Sequence, residues 1–111
     1  MIESGKLYQY LNKLYKENSS PFKLEFYEEY DEFGYGSSEH QQFFSFQLGQ
    51  NSYRVGWWNT IEDGEDWAQA ESYNGDILIK NENYVYEAEI ITDVTNYLQI
   101  EREHKLNKIL E

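Results

Sequence analysis

The hydrophobic period of this chain changes twice, from helical spacing to strict alternation and back, and that order restricts the fold more than any other feature. Over Ile2–Asn18, Leu7, Leu11 and Leu14 recur at helical spacing with Tyr8 and Tyr15 beside them, while Lys6, Lys13 and Lys16 take other positions. The spacing predicts an amphipathic helix with Ser4 as its N-cap. Asn18, Ser19, Ser20 and Pro21 stop it, because the residue before a proline is pushed out of the helical region.

From Phe22 the period is two. Phe22, Leu24 and Phe26 alternate with Lys23, Glu25 and Tyr27, and the pattern extends toward Tyr30 as a strand with one wet face. Asp31–Gln41 reads as a glycine-containing loop, and Phe43–Leu48 and Tyr53–Trp58 as a hairpin turning at Gly49, Gln50 and Asn51. Ile61–Asp66 reads as an acidic loop. Trp67–Tyr73 and Ile77–Lys80 then flank Asn74-Gly75, a dipeptide suited to a type I′ turn because both central residues need positive φ. A last strand, Tyr84–Ile90, follows a polar bend at Asn81–Asn83.

Helical spacing returns with Thr92 and Asp93 as candidate caps and Val94, Tyr97, Leu98, Leu106, Ile109 and Leu110 as apolar positions. Lys105 and Lys108 sit where cations suit the helix dipole, and the polar run Glu101–Lys105 is a place for this helix to fray or bend. The expected fold class is α+β: an N-terminal helix, an antiparallel sheet of about five or six strands in meander order, and a C-terminal helix. At 111 residues the expectation is a single domain over 1–111. Aromatic residues make up 18%, a payload that argues against a disordered acidic chain.

Charge is unevenly distributed along these segments. Residues 1–21 carry three Lys against two Glu, and residues 90–111 carry three cations against four carboxylates. Residues 22–89 carry fifteen carboxylates against Lys23, Arg54 and Lys80, so the whole formal excess of −12 falls on the expected sheet and its loops. Two clusters stand out: Glu25, Glu28, Glu29, Asp31 and Glu32, and then Glu62, Asp63, Glu65 and Asp66. Like charges this close repel, and a basic partner would turn the repulsion into attraction; the plain alternative is that the acids solvate an aromatic-rich sheet. Tyr30 and Trp67 lie within the clusters and are candidate anchors, since Tyr and Trp supply rigid area and one polar handle. Alternation also sends Trp57 and Trp58 to opposite faces, so one of them must be covered by a helix or left for a partner.

Other chemistry finds no motif. His40 beside Glu39 and His104 between Arg102 and Lys105 have no triad partners in sequence, and Ser37 and Ser38 lack the base and orienting group that a nucleophile needs. Acids and tryptophans alone do not define a glycosidase. Glu62-Asp63-Gly64-Glu65-Asp66 lacks the ligand spacing of a calcium loop, and Gly34-Tyr35-Gly36 lacks the third glycine of a phosphate-binding turn. The absence of cysteine excludes disulfides and thiolate metal sites, and no metal or other cofactor is expected. With no apolar signal segment, the expected location is the cytoplasm.

These features lead to the expectation of a non-enzymatic acidic protein that blocks a basic site on another protein, using Glu25, Glu28, Glu29, Tyr30, Asp31, Glu32, Glu62, Asp63, Glu65, Asp66 and Trp67. Substrate channels of nucleic-acid-handling enzymes are cationic, so an immunity protein against a nuclease-type toxin, or a phage inhibitor of a host defence nuclease, fits such a surface. Direct binding of nucleic acid or of an anionic membrane is disfavoured by the same charge. The alternative is an acidic secretion or assembly chaperone that dimerises and binds an effector segment, an analogy at the level of the fold alone.

Overall fold

In this computed structural model the described residues are 2, 5–34, 37–63 and 69–110, with backbone alone described at 32–34, 37, 61–63, 69–74 and 104–110. The first helix, α1 (Leu7–Lys16), ends as its sequence requires. Asn18 takes φ 50°, Ser19 N–H donates to the Leu14 carbonyl at 3.0 Å, and Asn18 N–H to that of Tyr15 at 3.2 Å. That pair of bonds is a Schellman stop. Lys6 occupies the N-cap position without a side-chain cap bond; Ser4 lies outside the described residues.

Five antiparallel strands follow in meander order: β1 (Leu24–Gly34), β2 (Ser37–Leu48), β3 (Asn51–Asp63), β4 (Gln69–Lys80) and the short β5 (Asn83–Tyr84). Helix α2 (Glu87–Leu110) closes the chain, so the fold is α+β. The β2–β3 hairpin turns at Gly49-Gln50 with Gly49 at φ 63°, as a two-residue loop requires.

Several local expectations are corrected. Most of the expected loop Asp31–Gln41 is strand, because Tyr30↔His40 and Asp31↔Glu39 pair across an extended β1–β2 hairpin. Ile61–Asp63, expected in a loop, pairs with Gln69–Glu71 as the end of β3. Asn74-Gly75 is not a turn but the interior of β4, paired with Asn59 and Trp58. A Cβ at Gly75 would stand 2.6 Å from the Trp58 indole nitrogen, so here glycine makes room for a ring rather than for a positive φ. The turn with two consecutive positive φ angles lies instead at Asn81 (50°) and Glu82 (69°), between β4 and β5.

Tyr84–Ile90 is likewise corrected, since only Tyr84 of it is strand and Glu87–Ile90 is the first turn of α2. Glu87 and Glu89 there suit the positive helix end. Thr92 and Asp93 are therefore interior helix positions, not caps: Thr92 Oγ1 donates to the Ala88 carbonyl at 2.8 Å, and Asp93 ties the helix to the sheet. Its carboxylate accepts from the Tyr53 hydroxyl at 2.8 Å and pairs with Lys80 at 2.7 Å. The helix is continuous through Glu101–Lys105, the polar run expected as a place to fray or bend.

Both helices cover the same face of the sheet. Leu7 and Leu11 of α1 and Ile90 and Val94 of α2 are fully buried over Phe44, Phe46, Leu48, Tyr53 and Val55. This core occupies the half of the strands nearest the β2–β3 turn. The rest of the sheet extends beyond it, in a molecule of 68 × 27 × 22 Å. Among the described residues no helix is long and apolar enough to cross a membrane.

Candidate functional site

Alternation along paired strands sorts the side chains into two faces. On the helix-covered face Phe26, Phe44, Val55 and Leu78 form one row, and Glu28, Gln42, Trp57 and Asp76 the next. On the opposite face the rows are Tyr27, Phe43, Gly56 and Ile77, then Glu29, Gln41, Trp58 and Gly75. The core cluster draws on neither Phe43 nor Ile77, yet both are only 6% exposed.

Their burial comes from neighbours lying flat on the sheet. Tyr27 stacks on Phe43 with centroids 5.5 Å apart, the Arg54 guanidinium lies 5.6 Å over the same ring, and Trp58 lies across Gly75. Gly56 is equally constrained, since a Cβ there would come within 1.9 Å of the Gln42 carbonyl oxygen. The result is a low aromatic surface holding a shallow cleft of about 280 Å³ bordered by Glu39, Phe43, Arg54, Trp58, Ile79 and Tyr84. Tyr27 and Tyr84 are exposed at its margins.

Carboxylates fringe this surface on the β1 side. Glu29 and Asp31 are exposed and form no ion pair with any described residue. Glu39, opposite Asp31, accepts from Gln41 at 2.7 Å. Glu25 accepts from the Tyr27 hydroxyl and is partly neutralised by Lys23 at 3.0 Å, contacts that, the first above all, hold its carboxyl below the usual range. Because β1 is an edge strand, these charges also discourage unwanted strand addition.

Glu28 and Tyr30 belong to the other face. Glu28 Oε1 accepts from the Tyr30 hydroxyl at 2.9 Å, meets His40 Nε2 at 2.7 Å and accepts from Gln42 at 3.3 Å. These bonds, that from Tyr30 first, hold its carboxyl below the usual range and raise the Tyr30 hydroxyl. Tyr30 stacks on His40 at 4.1 Å and Trp57 meets the imidazole edge-on, leaving His40 buried. Trp57 also lies beside the Tyr8 hydroxyl of α1. So Trp57 is the helix-side tryptophan, and Trp58 lies on the open face.

The first acidic cluster is thus divided, with Glu25, Glu29 and Asp31 on the open face and Glu28 tied into a polar patch on the other. Glu32 is part of β1, and Glu62 and Asp63 of β3; their side chains lie outside the described residues, as do Glu65, Asp66 and Trp67 entirely. The backbone register nevertheless places Glu32, Ser38 and Ile61 in one row, so both clusters approach the same end of the sheet. At this row β1 and β3 are two strand spacings, about 10 Å, apart.

Sequence reasoning missed Phe43, Arg54, Ile77, Ile79 and Tyr84 as parts of a site. The available signal was consecutive apolar residues, Phe43-Phe44 and Ile77-Leu78-Ile79, which give a strand two apolar faces where two helices cover one. Among the described residues no group of three or more His, Cys, Asp or Glu is arranged to hold a metal ion. Comparison of the chain with family models, with curated proteins and with solved structures finds no match.

Proposed function

We propose that the protein is a non-enzymatic binding protein that lays the open face of its sheet against a basic site on another protein and blocks it. One observation carries this reading: the face no helix covers has a flat aromatic centre with Glu29, Asp31 and Glu39 along one side. Flat aromatic area supplies contact energy at low entropic cost, and carboxylates with no ion pair among the described residues favour a cationic partner and speed its approach. A nucleic-acid-handling enzyme is the partner class that fits, because its substrate channel presents cations spaced to hold a polyanion. Inhibition of a toxin or of a defence nuclease is the corresponding role.

Quantitative capture from host extracts at low and moderate salt, with wild type and with Glu29→Lys/Asp31→Lys, tests the reading. The expected result is a basic nucleic-acid-handling protein retained by wild type and lost by the variant or at moderate salt. Association of the purified pair should slow by about tenfold or more on charge reversal. A partner held equally by wild type and variant at both salt concentrations would overturn the mechanism.

A further inference from the structure

The helix side of the molecule carries a second feature, of opposite charge. Lys6, Gln9, Tyr10 and Lys13 recur at i, i+3, i+4 and i+7, and Thr95, Leu98, Gln99 and Arg102 repeat that spacing on α2. Two such stripes facing each other are ordinarily apolar and interlock with helix axes about 8–10 Å apart. Here both stripes line an open groove of about 730 Å³, inside the roughly 300–1,000 Å³ range of small-ligand sites.

Among the described residues the lining includes Lys6, Lys13 and Arg102 and no carboxylate, in a protein of net charge −12. Lys13 and Arg102 form no ion pair with any described residue. The buried Thr95 hydroxyl at the groove wall has no hydrogen-bond partner among the described residues. Lys6 and Lys13 stand two helical turns apart, about 10 Å, with the Tyr10 ring position between them and Leu98 across the groove.

We infer that this groove binds a small organic dianion whose two anionic groups are separated by an apolar body. Lys6 and Lys13 would take one group each, Arg102 would reinforce one of them from α2, and Tyr10 and Leu98 would pack against the body. The charges lie on the side of the sheet opposite the aromatic face, so this site is independent of the partner surface proposed above.

Isothermal titration at low ionic strength, using biphenyl-4,4′-dicarboxylate as the probe, tests it. The dicarboxylate should bind wild type about tenfold or more tightly than biphenyl-4-carboxylate, since the second charge-assisted contact is lost in the monoanion. Lys13→Gln/Arg102→Gln should lose a similar factor while its far-UV spectrum and urea midpoint stay those of wild type, and Glu29→Gln/Asp31→Gln should bind as wild type does. Amide shifts in the wild-type NMR spectrum, which need no variant to fold, should concentrate on α1 and α2. Equal affinity for the two probes, no binding of the dicarboxylate, or shifts centred on the open sheet face would each overturn the inference.

Discussion

The two faces of this sheet are built from similar residues and are buried in different ways. On one, Phe44, Tyr53 and Val55 disappear beneath Leu7, Leu11, Ile90 and Val94, a second layer contributed by the helices. On the other, Phe43 and Ile77 are shielded within a single layer by Tyr27, Arg54 and Trp58 lying along the strands. Two-layer burial removes whole side chains from water and fixes stability; in-plane burial leaves ring faces and edges accessible. The same aromatic chemistry therefore supports the fold on one side and offers contact area on the other.

The sharpest way to break this contrast is to truncate one aromatic on each face. Phe44→Ala should cost about 3–5 kcal/mol of stability, because it opens a cavity under two helices. Trp58→Ala should cost clearly less, since much of the space it leaves is reached by solvent, while weakening partner binding by about 2 kcal/mol or more if the ring is an anchor. Urea unfolding of both variants measures the difference. Equal losses would mean that the open face is as much a core as the covered one.

Asp93→Ala should come next, at about 1–3 kcal/mol, because it leaves the buried Tyr53 hydroxyl and the Lys80 ammonium without their shared acceptor. The Tyr53 hydroxyl is pushed well above its ordinary value by burial and then by Asp93, so its ultraviolet titration should move toward the normal tyrosine range in the variant. An unmoved titration would show that burial alone sets it. On the open face, Gly75→Ala should destabilise by about 1–3 kcal/mol, since the added methyl meets the Trp58 ring and lifts it. The Trp58 ring-proton shifts report that movement directly; unchanged shifts would mean the backbone had yielded instead.

The element order and the meander were legible because they rest on local signals: helical spacing in Leu7, Leu11 and Leu14, the Asn18–Pro21 stop, and alternation from Phe22 onward. The errors fall where pairing across strands overrides local preference. Asp31–Gln41 looks like a loop until Tyr30 is seen to stack on His40 and Glu28 to bond it, contacts between residues ten and twelve positions apart. Asn74-Gly75 carries a strong turn signal, yet its glycine answers to Trp58, seventeen residues earlier. Charge placement along the chain was equally legible, but the division of Glu28 from Glu25, Glu29 and Asp31 depended on register, which a strand mistaken for a loop could not supply.

The smallest expected effect concerns that division. Glu28 is held below the usual carboxylate range by the Tyr30 hydroxyl, then by His40 and Gln42. A carboxyl depressed in the folded state adds stability above its unfolded value, ordinarily about 4.5, and loses it as pH falls through the lowered folded value. Wild type should therefore exceed Glu28→Gln in stability near neutral pH, with the gap closing as the solution is acidified below the ordinary carboxylate value. The gap should be small, because the carboxylate is open to solvent on one side. Tyr30→Phe, which removes the first of these bonds, should narrow the same gap, so acid unfolding of the two variants reports whether the cluster holds the hairpin together. Identical pH profiles for wild type and Glu28→Gln would mean that the Tyr30–Glu28–His40 cluster does not stabilise the extended hairpin, and that cross-strand pairing of the backbone alone suffices to hold it.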